Sequence, residues 1–271
     1  MKYKIFISDF DDTLVRKDGT ISEENQKAIE EYRKKGGIFV ICSGRMTPAI
    51  LPRAKELGLN GIVVSFQGAV ITDLGSGKTL KNDAFEDKRA YEVIEKLEEF
   101  DFHTHIYTAE KMYCNRDDAA LKEYERICRV KAEIVENLSA FARREKLKII
   151  KMVVFVEDFQ RRQTEELLSG CFPDCYVTSS AKYLVEVMPL GRNKGEAVRF
   201  LSNYYNVPSE QIAAIGDMSN DIPLVAAAGG KFAVDNAEEE LKRIATVVPS
   251  CEDDGVAYAL RNYAMEETDR E

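Results

Sequence analysis

Short apolar runs that end in acidic or hydroxyl residues and pass straight into helical patterns recur at both ends of this 271-residue chain. Residues 3–8 are one such run, closed by Asp9-Phe10-Asp11-Asp12. Residues 38–42 are a second, closed by Ser43-Gly44, and residues 211–215 a third, closed by Gly216-Asp217. A continuous apolar run of this length reads as a strand buried on both faces. The intervening stretches carry helix punctuation. Ser22 is an N-cap for a helix reaching Lys35, stopped by Gly36-Gly37, and Pro48 opens another at its favoured first position. Asn193 and Glu196 have the spacing of a capping box, and Pro223 falls in the first turn of the helix opened by Ser219-Asn220-Asp221. Further strands are expected at 61–65, 231–234 and 246–248, with a hairpin over 69–80 turning at Gly75-Ser76-Gly77. Strand–helix alternation predicts an α/β fold with a doubly wound, mostly parallel sheet.

Between Asp83 and Met188 the texture changes. Helical stretches at 86–100, 117–129 and 158–168 mix with strands at 102–108, 148–156, 175–178 and 183–187. About a hundred residues with their own elements are too many for a loop. The expected organisation is a discontinuous core, residues 1–82 and 189–271, with an inserted α+β domain at 83–188. An acidic tail occupies 266–271.

Composition narrows the function. With 38 Lys+Arg against 47 Asp+Glu, the net charge of −9 argues against nucleic acid as the partner. The longest apolar stretch, 149–156, is short and broken by Lys151, so no membrane span is expected. The first residues meet acids too soon for a signal peptide, and a cytoplasmic location is expected. The six cysteines are scattered without a C-x-x-C pair and read as small, partly buried thiols.

In an open α/β sheet, ligands bind outside the carboxyl ends of the strands. Asp9, Asp11, Ser43, Asp217 and Asp221 all follow strands, so they should converge on one crevice. Carboxylates crowded together need a positive neighbour. Oxygen ligands with no His or Cys nearby suit Mg²⁺ rather than zinc. Lys194, at a helix N-terminus, opposes the helix dipole and needs a negative group of its own. A metal, a lysine, a serine hydroxyl and helix N-termini facing one point would make a phosphate site. Taken singly, each acid is more simply a helix cap; the ordered set favours function.

Asp9-Phe10-Asp11-Asp12-Thr13-Leu14, Ser43-Gly44-Arg45, Lys194 and Gly216-Asp217-Met218-Ser219-Asn220-Asp221 resemble the four motifs of the haloacid dehalogenase-like superfamily. The large insert between the second and third motifs resembles the Cof-like branch with a type IIB cap. The resemblance implies a Rossmann-like core and a Mg²⁺-dependent phosphatase for sugar phosphates or similar metabolites. It implies Asp9 as the nucleophile that becomes an aspartyl-phosphate, and Asp11 as general acid and base. The implied metal ligands are Asp9, Asp11 through its main-chain carbonyl, and Asp217, with Asp221 beside them. Ser43 and Lys194 would hold phosphoryl oxygens, with Gly44 and Asn220 as further phosphate contacts. One departure is Asp12, where the family usually has Gly. Ser43 stands where relatives often have Thr.

The insert should choose the substrate. His103 and His105 alternate on an expected strand and share a face, though two histidines alone make a poor metal site. Tyr107, Tyr113 and Arg116 are further candidates for substrate contact. A phosphomutase on the same scaffold is the nearest rival, and a non-enzymatic phosphometabolite sensor is a rival of another class. Dehalogenation does not need Asp11. The expected partner is a small phosphorylated substrate, with the chain a monomer or weak homodimer.

Overall fold

A computed structural model describes residues 1–266, so all of the acidic tail but Glu266 lies outside the described residues. The strands, in chain order, are β1 (Ile5–Ser8), β2 (Ile38–Cys42), β3 (Ile62–Ser65), β4 (Val70–Asp73), β5 (Thr79–Asn82), β6 (His103–Tyr107) and β7 (Met112–Cys114). They continue as β8 (Ala132–Ile134), β9 (Lys151–Phe155), β10 (Cys175–Ala181), β11 (Leu184–Pro189), β12 (Ile212–Gly216), β13 (Gly230–Val234) and β14 (Thr246–Val248). The helices are α1 (Glu23–Lys34), α2 (Thr47–Glu56), α3 (Asp87–Glu99), α4 (Ala119–Cys128) and α5 (Leu138–Glu145), then α6 (Arg161–Cys171), α7 (Gly195–Tyr205), α8 (Ile222–Ala227), α9 (Glu239–Lys242) and α10 (Gly255–Ala259).

The strands form two sheets. The first has eight strands in the order β14-β13-β12-β1-β2-β3-β4-β5, parallel from β14 to β3. The edge pairs β3–β4 and β4–β5 are antiparallel, because short turns rather than crossover helices join them. This is the doubly wound, mostly parallel arrangement. β1 lies between β2 and β12, and every residue of β1 is buried. On it, the Phe6 ring stacks against Phe39 at 6.0 Å and Phe232 at 6.1 Å. Truncating so central a ring to Ala costs about 3–5 kcal/mol.

The second sheet has the order β10-β11-β9-β6-β7-β8 and draws its strands only from residues 103–189. One face packs on α3 and α5 through Ile106, Met152, Val154, Val185 and Val187. The period-two pleat turns His103, His105 and Tyr107 to the other face, with Lys151, Val153 and Phe155 beside them in register.

Local details depart from the sequence pattern in instructive ways. Ser22 caps α1, its Oγ accepting from the Asn25 N–H at 3.0 Å, worth about 1 kcal/mol. The Asn193–Glu196 box does not form. Asn193 Oδ1 instead accepts from the Gly195 N–H at 2.9 Å, while Glu196 pairs with Arg199. Strands β7 and β8 and helix α5 fall where no pattern was read. Of the cysteines, five are buried and Cys171 is exposed; all six are free thiols. Among the described residues, no helix is long and apolar enough to cross a membrane.

Candidate active site

β1, β2 and β12 are neighbours and parallel, so their carboxyl ends deliver Asp9, Ser43 and Asp217 to one edge of the sheet. Lys194 arrives at the N-terminus of α7, and Asp221 in the turn before α8. The two helix starts can approach because Gly195 has no side chain. A Cβ there would stand 2.7 Å from the Pro223 carbonyl oxygen. Gly216 is likewise required, since its Cβ would fall 2.5 Å from the Asp221 carboxyl group.

The outcome is a buried charge cluster. Lys194 Nζ donates to Asp9 Oδ1 at 2.5 Å and to Asp221 Oδ1 at 2.6 Å. Asp221 Oδ2 accepts from the main-chain N–H groups of Asp217 at 3.0 Å and Met218 at 3.2 Å. Thr13 Oγ1 donates to Asp217 Oδ1 at 2.9 Å. The carboxylates of Asp9, Asp217 and Asp221 lie within 4.8 Å of one another. Burial, and then the Asp221 charge, push the Asp9 carboxyl up to about 7 against the pull of Lys194. Burial and the Asp9 charge hold Asp217 well above the usual carboxylate range. Burial alone would lower Lys194, but Asp221 and Asp9 outweigh it and keep the ammonium charged.

Three carboxylates facing one ammonium leave the crevice short of positive charge. Asn220 adds a buried Oδ1 with no hydrogen-bond donor. An all-oxygen donor set, an electrostatic deficit and an orphaned acceptor together fit a hard divalent cation such as Mg²⁺. Asp221 has both oxygens engaged by protein donors and holds Lys194 in place, while one of its oxygens stays within 4.8 Å of the Asp9 and Asp217 carboxylates.

Asp11 stands apart from this cluster. Its carboxylate takes two bonds from Arg45, Nε to Oδ2 at 2.7 Å and Nη2 to Oδ1 at 2.6 Å. Arg45 also donates Nη1 to the Ile127 carbonyl on α4 at 3.1 Å, so one guanidinium spans both sheets' territories. Asp12 has a φ of +53°, a left-handed conformation that suits Gly and that Asp tolerates. Asn236 Nδ2 donates to the Asp12 carbonyl at 2.7 Å, pinning that turn. Ser43 is buried, its Oγ accepting from the Arg45 N–H at 3.1 Å.

The second sheet closes the crevice from above. Lys151 Nζ donates to the Gly44 carbonyl at 2.7 Å and to Glu186 Oε1 at 2.9 Å, both side chains being 2% exposed. Gln67 Nε2 donates to Glu186 Oε2 at 3.0 Å, and its Oε1 accepts from Asn220 Nδ2 at 3.2 Å. Sequence reasoning missed Gln67, Lys151 and Glu186. Nothing in the sequence marks Gln67; in the structure Phe66 and Gln67 both have positive φ, strain of about 1–3 kcal/mol each that bonds to the 43–45 loop sustain. His103 and His105 share a face as read, Tyr107 joins them on it, and burial lowers the pKa of both histidines. Tyr113 lies on the opposite face against Phe141, and Arg116 pairs with Asp101 at the surface; neither reaches the crevice.

Comparison with known proteins follows the same line. The model of a family described as haloacid dehalogenase-like hydrolase matches residues 6–260. The chain is 26% identical to phosphatase YwpJ of Bacillus subtilis (strain 168), covering 96% of this chain and 99% of that one. It is 26% identical to the same organism's 5-amino-6-(5-phospho-D-ribitylamino)uracil phosphatase YwtE, covering 94% and 96%. Among solved structures, TM0651 from Thermotoga maritima superposes with a TM-score of 0.81 at 27% identity, over 97% of this chain and 98% of that one.

Proposed function

This chain belongs to the haloacid dehalogenase-like hydrolase family, and from that premise we propose that it is a Mg²⁺-dependent phosphatase of small phosphorylated metabolites acting through an aspartyl-phosphate on Asp9. The observation that carries the reading is the Lys194 ammonium bonded to Asp9 and Asp221 with Asp217 alongside, buried at the strand ends. The relatives named as phosphatases support it, one of them acting on a phosphorylated ribityl compound. Residues 1–82 and 189–271 serve as the catalytic core and 83–188 as its cap.

Asp9 attacks phosphorus, the P–O bond to the substrate alcohol breaks, and Asp11 gives that alcohol its proton. Asp11 then takes a proton from the water that hydrolyses the acyl phosphate. Both Asp11 oxygens are engaged by Arg45, so the guanidinium must yield before either transfer. Ser43 and Lys194 hold phosphoryl oxygens, aided by the Gly44 main chain, and Lys194 screens the nucleophile. Asn220 would join the phosphate contacts, and the Asp9 and Asp217 carboxylates and the Asp11 carbonyl would hold Mg²⁺, with Asp221 beside them. Bound there, it supplies the positive charge that lets an anionic nucleophile meet an anionic ester.

The test is phosphate release from a panel of sugar phosphates, ribityl and nucleoside phosphates and cofactor phosphates. It is run with Mg²⁺, with EDTA, and with Asp9→Asn. Release that requires both Mg²⁺ and Asp9 is expected. Turnover that survives in Asp9→Asn removes the covalent route, and phosphoryl transfer to a second sugar without free phosphate makes the protein a mutase.

A further inference from the structure

A second cluster of ligating atoms lies in the six-stranded sheet, on the face that carries Lys151 but among residues with no part in the proposed phosphatase steps. His103 and His105 are two apart on β6, and β6–β7 pairing sets His105 opposite Cys114. His103 Nε2 lies 3.1 Å from His105 Nε2 and 3.2 Å from Cys114 Sγ. His105 and Cys114 are fully buried, His103 nearly so.

Counting protons shows what is missing. The Asp118 carboxylate lies 3.1 Å from His103 Nδ1, which places that ring's proton on Nδ1. Tyr107 gives its hydroxyl proton to Tyr124 at 3.0 Å, so at 3.4 Å it can only accept from His105 Nδ1. With His105 protonated on Nδ1, as a bond to Tyr107 requires, both Nε2 atoms present lone pairs to one spot; the other tautomer places an Nε2–H between the two rings. The Cys114 thiol has one proton for two nitrogens, and the Arg116 carbonyl at 3.1 Å competes for it. In the Nδ1 tautomer the converging lone pairs repel unless a cation sits among them.

We propose that His103, His105 and Cys114 form a binding site for a borderline-soft transition-metal ion, Zn²⁺ in the first instance. Imidazole and thiolate select such ions over Mg²⁺. Tetrahedral Zn²⁺ with bonds of about 2.0–2.1 Å to nitrogen and 2.3 Å to sulfur needs ligand separations of about 3.3 and 3.5 Å. The two separations made by His103 Nε2 need to open by only a few tenths of an ångström, and the three ligand atoms all lie within 4.8 Å of one another. Binding replaces the S–H bond with a Zn–S bond and releases that proton to solvent. The outer groups are those a metal site uses: Asp118 and Tyr107 orient the two rings, and the Arg116 N–H lies 3.4 Å from the sulfur. Phe155 packs over both imidazoles, with centroids 4.6 and 4.4 Å away. Three protein ligands leave a fourth position for water or a small ligand. The ion would tie the β6–β7 hairpin to the first turn of α4, which Asp118 caps through the Leu121 N–H at 2.9 Å. That helix carries the Ile127 carbonyl that Arg45 grips.

The experiment uses the full chain stripped by chelator, with excess Mg²⁺ present to cover the acidic crevice. Titration with Zn²⁺ against a chromophoric chelator should show one tightly held ion per chain. Co²⁺ in its place should give a thiolate-to-cobalt charge-transfer band and the intense visible bands of tetrahedral geometry. Cys114→Ser should lose that band and His105→Gln the tight site, while Asp118→Asn should bind about 10–100-fold more weakly with the band retained. A parent protein whose cobalt spectrum lacks the thiolate band overturns the proposal, whatever the variants do. Zinc uptake that is the same in Cys114→Ser overturns it too, because the sulfur then holds no ion.

Discussion

The two sheets meet the same crevice with opposite charge arrangements. From the eight-stranded sheet come three buried carboxylates, Asp9, Asp217 and Asp221, against one ammonium, Lys194. From the six-stranded sheet comes Lys151 matched to Glu186, with neutral imidazoles and hydroxyls around them. A balanced pair satisfies itself when the sheets close together. An unbalanced set is stable only when something outside the chain completes it. Both sets are buried, so burial does not tell the two sides apart; the charge that is left over does, and the proposed chemistry lies on that side.

Removing the lone cation tests that contrast most severely. Lys194→Met leaves three buried carboxylates uncompensated, and the chelated protein should lose about 3–5 kcal/mol in urea unfolding. Phosphate release should fall by about 10²–10³-fold, the scale for losing one charged donor to the transition state. Mg²⁺ should restore part of the stability and little of the turnover. A variant as stable as the parent in EDTA would mean that the core cluster is not short of positive charge.

The matched pair should respond differently. Lys151→Met alone strands the Glu186 carboxylate and should also cost about 3 kcal/mol or more. Adding Glu186→Gln neutralises the orphan while keeping an acceptor and donor for Gln67 and Ser180, so the double variant should recover much of the loss. Mg²⁺ should not rescue the single variant. Rescue by Mg²⁺ would merge the two sites into one electrostatic unit.

A milder probe is pH. The Asp9 pKa, about 7 in the fold, exceeds the unfolded value of about 3.9. The folded chain therefore holds a proton that the unfolded chain has released. That contribution is complete below about pH 4 and is lost as pH rises through about 7. Chelated protein should lose roughly 1–3 kcal/mol between pH 5 and 7.5, read as a falling thermal midpoint. Mg²⁺ should flatten the slope, and Asp9→Asn should reduce it without metal. A midpoint that rises over that range in EDTA would contradict the sign.

How much of this was readable from the sequence follows from the range of the interactions. Asp9, Ser43 and Asp217 each end a local apolar run, so their common edge follows from parallel strands alone. Lys194 needed only its place at a helix start. Lys151, Glu186 and Gln67 carry no local mark: they meet because β9, β11 and the turn after β3 are brought together across up to 119 residues. Cys114 sits on a three-residue strand too short for any period, so its approach to His103 and His105 depended on β6–β7 register. The left-handed turn at Asp12 reconciles an apparent departure from the family pattern, since Asp accepts a conformation that Gly usually fills.

The smallest expected effect concerns Arg45, the residue that belongs to both sides. Its bond pair to Asp11 is partly solvated, the Asp11 side chain being 44% exposed, so solvent screening leaves it under about 1 kcal/mol of stability. Its weight lies in geometry: the planar guanidinium reaches Asp11 twice and the Ile127 carbonyl once. Lysine in its place is a single point charge and cannot span both. Arg45→Lys should therefore leave the thermal midpoint nearly unchanged while loosening the contact between α4 and the core. Limited proteolysis near residues 83 and 190, where the chain passes between the two sheets, should speed up a few-fold without substrate. Equal protection in parent and variant would place the closing contact in Lys151 and Glu186 alone, making the balanced pair sufficient to hold the second sheet down.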